Sequence, residues 1–214
     1  SEGHEHHDEH HGNFWTTYVF TIDHKMIGKQ FLITGIAWAL IGGLLSVIFR
    51  LQLGFPDMQL EWLRPILGEW ITAEGKLDAE FYLALVTMHG TIMVFFVLTA
   101  GLSGTFSNFL IPLQIGARDM ASGFMNMLSY WFFFASSVIM LISLFIETGP
   151  ASGGWVIYPP LSALPQAVNG SGLGMTLWLA AMALFIVSSL LGGINYITTV
   201  INLRTEGMSF SRLP

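Results

Sequence analysis

Cysteine is absent from all 214 residues, which excludes disulfides, thiolate zinc sites and cysteine-ligated iron–sulfur clusters. Charge is scarce too. Asp, Glu, Lys and Arg make up 10% of the chain, where a soluble domain carries about 25%. Eight Lys and Arg against 14 Asp and Glu leave a net charge of −6 and no basic patch. With nothing to neutralise phosphates, nucleic acid is excluded as a partner. No segment reads as a strand. What is present is apolar, 53% of the residues, and that balance defines an all-α integral membrane protein.

Four apolar stretches are long enough to cross about 30 Å of hydrocarbon as helices, at about 31–50, 81–112, 124–146 and 175–201. The second is longer than a minimal span, so it tilts or protrudes. Gly and Ser recur within the spans (Gly42–Gly43, Gly101, Gly104, Gly192–Gly193), which favours close helix packing in lipid. Lys25 and Lys29 precede the first span, Arg118 lies between the second and third, and Arg204 and Arg212 follow the fourth. The opposite loops carry only Arg64 and Lys76. The positive-inside rule therefore puts both termini on the cytoplasmic side, with Trp62, Trp70 and Trp155 near the outer interface.

Residues 13–28 read as an amphipathic lead-in on the inner surface, and 29–214 as the transmembrane domain. The tail at 1–12 contains HEHHDEHH, a low-complexity, disordered His/acid tract. It either binds a divalent metal weakly or is simply solvated. The N-terminus is polar and acidic rather than basic then apolar, so no signal peptide is expected.

Of the seven histidines only His89 falls inside a span. An ionisable side chain at membrane depth marks a functional site by default, and a neutral imidazole is a preferred ligand for haem iron. Gly90 removes bulk beside the ring and Met93, at i+4, shares its face. A hydrogen bond to another helix is the alternative role. Arg50, at the outer end of the first span, either snorkels to the interface or binds a polar porphyrin substituent. The inner half of the second span turns polar at Thr99, Ser103, Thr105, Ser107 and Asn108. Asp119 follows in the loop, then Asn126 and Ser129, and Ser188, Ser189 and Asn195 lie on the fourth span. That series suits a water-filled proton path. An interfacial loop with hydroxyls bonded to helix carbonyls remains the other reading.

Seven stretches in order carry a resemblance that covers nearly everything from Thr21 onward. They are TIDHKMIG at 21–28, FRLQLGFP at 49–56, MHGTIMVFF at 88–96, NFLIPLQIGARDMA at 108–121, NMLSYW at 126–131, GGWVIYPP at 153–160 and SSLLGGINYITT at 188–199. The chain resembles the N-terminal part of subunit I of the haem–copper terminal oxidases, most like the A-type cytochrome c oxidases. The resemblance implies that His89 is one axial ligand of a low-spin haem a and that Arg50 meets its formyl group. It implies that Tyr82, Met93 and Trp155 line that haem, with Tyr158 close by. Asp119 would open the main proton-uptake channel, with Asn108 and Asn126 just inside it and Ser188 and Ser189 further up.

Some positions depart from the family pattern. Residues 121–124 read ASGF where AFPR is usual, and Arg118 replaces a proline. A positive charge beside Asp119 favours the ionised carboxylate. Gln52 stands where some members carry a glutamate tied to a bound cation. The family's subunit has about twelve spans, and the residues to Pro214 cover four. The high-spin haem, the copper and the second low-spin haem ligand are therefore expected from remaining helices, either of a longer chain or of a separate polypeptide. Other oxidase subunits, membrane lipids and a cytochrome c or tethered c-type domain complete the implied partners. The implied activity is transfer of electrons from cytochrome c to oxygen with proton uptake and pumping, in an energy-transducing membrane such as a bacterial inner membrane. A quinol oxidase of the same family and a non-redox, proton-coupled transporter or scaffold are the alternatives.

Overall fold

Four long helices, α1 (His24–Gly54), α2 (Ala79–Ile115), α3 (Gly123–Ser143) and α4 (Leu173–Asn202), account for the four apolar stretches. The computed structural model describes residues 13–168 and 171–214. The expected His/acid tail at 1–12 lies outside the described residues. No strand occurs among them beyond a single bridge between Ile71 and Leu77. α1 starts at His24 rather than near Phe31, because the Asp23 carboxylate caps it by accepting from the Lys25 amide. A hydropathy window cannot see such a polar first turn. α3 ends at Ser143 rather than near Ile146, where Leu144 and Phe145 tighten into turns bonded to Leu141 and Ile142.

Sequence neighbours form the bundle, with α1 packed along the whole of α2 the most extensive pair and α3 against α4 the next. Gly28, Gly35 and Gly42 recur every seven residues, which puts them on one stripe of α1. A Cβ on Gly35 would stand 2.8 Å from the Gly101 Cα, and one on Gly42 would stand 2.9 Å from both Ile92 and Met93. The two backbones therefore approach as only small residues allow in lipid. Ile33 (69% exposed) and Leu40 (71% exposed) point away from this seam. Such apolar outer faces suit hydrocarbon or a neighbouring helix rather than water.

Between the helices Phe31, Trp38, Met88, Ile92, Phe96, Phe133, Met140 and Phe185 form one buried apolar core. From Ile92 to Leu102 α2 widens into a π-helical stretch, and the Thr99 hydroxyl donates to the Val94 carbonyl five residues back. π-Helical turns are frequent at functional sites, and this one joins the two polar regions of α2. Outside the bundle the segment after α1 folds over Leu60, Leu63, Ile71 and Phe81. Arg64 clasps it, pairing with both Glu61 oxygens (2.6 and 2.7 Å) and donating to the Ile71 and Thr72 carbonyls. At the inner end Gly116 (φ +73°) closes α2. It takes a left-handed turn open to glycine, while Thr205 bonds the Ile115 carbonyl.

Candidate haem site and proton path

His89 faces α1. Its Nδ1 lies 2.8 Å from the Gly42 carbonyl oxygen, and a carbonyl can only accept, so Nδ1 carries the proton. The second nitrogen, Nε2, is then the unprotonated one, free to take a metal. In metal sites a ligating histidine is generally fixed through a hydrogen bond from its other ring nitrogen. The close α1–α2 seam at Gly42 makes this bond possible. The Phe49 ring packs edge-on against His89 (5.7 Å) and against Tyr82 (5.8 Å). Met93 sits over Gly42, and Trp155 covers Gly90, its Cδ1 3.6 Å from where a Cβ would stand. The Thr87 hydroxyl accepts from the Gly154 amide (2.8 Å) and holds the Trp155 loop on α2.

His89, Tyr82, Met93 and Trp155 are thus gathered on one partly buried, largely aromatic patch. Arg50 is exposed at its rim, with the guanidinium 5.9 Å from the centre of the Phe49 ring. Tyr158 stands apart, 70% exposed. The donor set fits one half of a haem site: one presented imidazole, apolar walls and a cation at the rim. Gln52 is occupied otherwise than as a cation ligand. Its amide accepts from the Leu77 amide and donates to the Pro56 carbonyl, tying the outer segment to α1.

At the inner end Asp119 Oδ1 accepts from the Met120 amide (2.7 Å) and lies 3.0 Å from His24 Nδ1. His24 is buried, while the Asp119 side chain is 48% exposed. Among the described residues the side chain within hydrogen-bonding distance of the Asp119 carboxylate is that of His24 and not Arg118. Behind it the loop is bonded to α4. The Ala121 amide donates to Thr199, and the Ser122 amide donates to the Asn195 side-chain oxygen. The departure at 121–124 has a local reason. Ser122 caps α3, and a Cβ on Gly123 would stand 2.8 Å from the Ile22 carbonyl.

Asn108, Asn126 and Asn195 are fully buried together. Asn126 Nδ2 donates to Asn108 Oδ1, and Asn108 Nδ2 donates to the Gly104 carbonyl. Asn126 Oδ1 and Asn195 Nδ2 have no protein partner. A buried amide atom left unbonded costs about 1–3 kcal/mol, so these two atoms call for water. One turn further out lies a cavity of about 150 Å³ lined by Thr99, Ser103, Ser129, Ser188, Ser189 and Tyr196, among others. It is roomy and polar enough to hold water. Ser188 donates to the Ser129 carbonyl across α3 and α4. Asn108 and Asn126 are thus bonded to each other, Ser188 and Ser189 line the cavity, and Asp119 lies in the loop that Thr199 and Asn195 hold.

Three contributors went unread in the sequence. The Gly28–Gly35–Gly42 spacing signals the face of α1 that meets His89, but nothing in it marks a carbonyl as the acceptor. His24 sits 95 residues from Asp119, and no local pattern links them. Phe49 looks like any apolar residue of a span.

Fold and site together define a helical scaffold with four spans long and apolar enough to cross a membrane, one presented imidazole towards one end of the bundle and buried polar side chains towards the other. Residues 26–214 match the model of the family described as cytochrome c and quinol oxidase polypeptide I, and the chain belongs to that family. It is 41% identical to an alternative cytochrome c oxidase subunit 1 of Bradyrhizobium diazoefficiens, over 94% of this chain and 32% of that protein. It is 36% identical to a cytochrome c oxidase subunit 1 of Thermostichus vulcanus, over the same shares. A haem–copper oxidase subunit I+III of Aeropyrum pernix is 36% identical over 92% of this chain and 22% of that protein. The chain spans about a third, or less, of the length of these curated relatives.

Proposed function

We propose that this chain supplies the low-spin haem ligand and the proton-uptake path of a terminal cytochrome c oxidase. The observation that carries the reading is the His89–Gly42 bond, in which Nδ1–H donates to the carbonyl and Nε2 is left presented. His89 would ligate the haem, with Tyr82, Met93, Trp155 and Phe49 along its edge and Arg50 at its formyl group. Tyr158 would close the rim. A low-spin haem a there would relay electrons from cytochrome c to a high-spin haem and copper held by the remaining helices of subunit I, where oxygen becomes water.

Asp119 would collect protons from the cytoplasmic side of an energy-transducing membrane, the bacterial inner membrane, with both termini on that side. The buried amides of Asn126 and Asn195 would hold water in the neck beyond it. Ser188 and Ser189 would extend the chain of hydroxyls through the cavity, for chemistry and for pumping. Residues 13–28, where Phe14, Trp15 and Tyr18 are exposed aromatics, would rest in the inner lipid interface. Other oxidase subunits and a soluble or tethered c-type cytochrome would complete the complex.

The test is a reduced-minus-oxidised visible spectrum of the purified complex, with the haems extracted and oxygen consumption assayed on each donor. A red-shifted band from formyl-bearing haem, with turnover on reduced cytochrome c, is expected. Haem b alone with turnover on quinol would select the second reading, which the family's own description includes. A haem-free complex would overturn both and leave His89 to packing or proton coupling.

A further inference from the structure

Tyr196 belongs to the inner wall of the cavity and none of the roles above uses it. It lies on α4 directly after Asn195, and its ring runs back along the helix so that the hydroxyl lies over Gly192. The hydroxyl lies within interaction range of the Ser107 side chain of α2, the residue before Asn108. The same side chain lines the cavity beside Ser103, Ser129, Ser188 and Ser189. A phenol both donates and accepts, so one oxygen can hold Ser107 and a water at once. Asn108 and Asn126 close the neck with each other, and Asn195 is bound to the loop through Ser122. That leaves the Tyr196–Ser107 pair as the polar link between α2 and α4 on the cavity side of the neck.

We infer that Tyr196, through a bond to Ser107, is a positioning residue that anchors the water chain where the asparagine neck opens into the serine-lined cavity. The inference rests on the proposed proton path and adds a station to it. No ionisation of the phenol is involved. A proton passes along the water chain while the hydroxyl keeps one bond to Ser107 and turns the other towards water.

Tyr196→Phe tests it in the assembled oxidase, because the ring and its packing stay and only the oxygen leaves. The expected result is an unchanged haem spectrum and assembly, and turnover and proton uptake slowed about fivefold, the scale of one hydrogen bond. The solvent deuterium isotope effect should rise, which a purely structural role would not produce. Ser107→Ala should reproduce this, and the double variant should be no slower than either single one. Asp119→Asn is measured alongside. If it is slow while Tyr196→Phe keeps wild-type rate and isotope effect, the role of Tyr196 is overturned and the path stands. If Asp119→Asn is itself normal, the path and the inference fall together.

Discussion

In the outer half of α2 a single imidazole is held by a single backbone carbonyl. In the inner half a series of amides and hydroxyls is bonded together and still leaves two buried atoms unpartnered. Both regions put polar groups at membrane depth, where each must justify its desolvation. The difference lies in what is satisfied. His89 has its orienting bond and keeps one nitrogen in reserve, as a metal ligand requires. The asparagines keep an acceptor and a donor in reserve at different places, which favours water that can exchange partners. Fixed geometry thus suits the proposed haem end, and spare hydrogen-bonding capacity suits the proposed proton end. The π-helical stretch Ile92–Leu102 lies between the two.

The sharpest way to break this comparison is to remove one end and watch the other. His89→Ala should abolish the low-spin haem band altogether, read from the reduced-minus-oxidised spectrum, while the four helices still assemble. A retained band would mean another ligand serves. Asp119→Asn should do the reverse, slowing turnover and proton uptake by at least about tenfold, given the effects of positioned proton-transfer groups, with the spectrum intact. Normal turnover there would remove the inner end from the account.

Gly42→Ala probes the seam that both ends share. The added methyl would stand 2.9 Å from Ile92 and Met93, and overpacking of this kind costs about 1–3 kcal/mol. The expected outcome is a complex that assembles with reduced low-spin haem content and a shifted band, measured by haem extraction and spectroscopy. Full content and an unmoved band would show that α1 and α2 adjust without turning His89.

The spans were legible in the sequence because lipid imposes long uninterrupted apolar runs, and α2 and α4 match those runs within a few residues. The start of α1 depends on the cap Asp23, a polar residue that hydropathy reads as loop, and the end of α3 on turns at Leu144 and Phe145 within an apolar run. Single polar residues at membrane depth stood out for the same reason, so His89, Asn108, Asn126, Ser188 and Ser189 could be picked without coordinates. Their partners could not. Gly42 acts through its carbonyl, a group every residue has. His24 and Tyr196 acquire their places only when distant turns of the chain meet. Tyr158 was expected close to the haem and is 70% exposed in the described chain.

The smallest effect is expected outside the membrane, where the Arg64 clasp holds the segment between α1 and α2. The Arg64 guanidinium hydrogen-bonds Glu61 and holds its carboxyl below its ordinary value. A depressed carboxyl contributes order that is present above its unfolded pKa and lost as pH falls through the lower, folded one. Acidification should therefore loosen residues 60–72, read as faster amide hydrogen exchange there than in α1 or α4 after correction for the intrinsic rate. Glu61→Gln should remove that pH dependence and leave the haem spectrum and turnover untouched. Both groups are exposed, so the change should be modest and should shrink further as salt screens the pair. An equal pH response in the variant would assign the loosening to another carboxyl of this acidic segment.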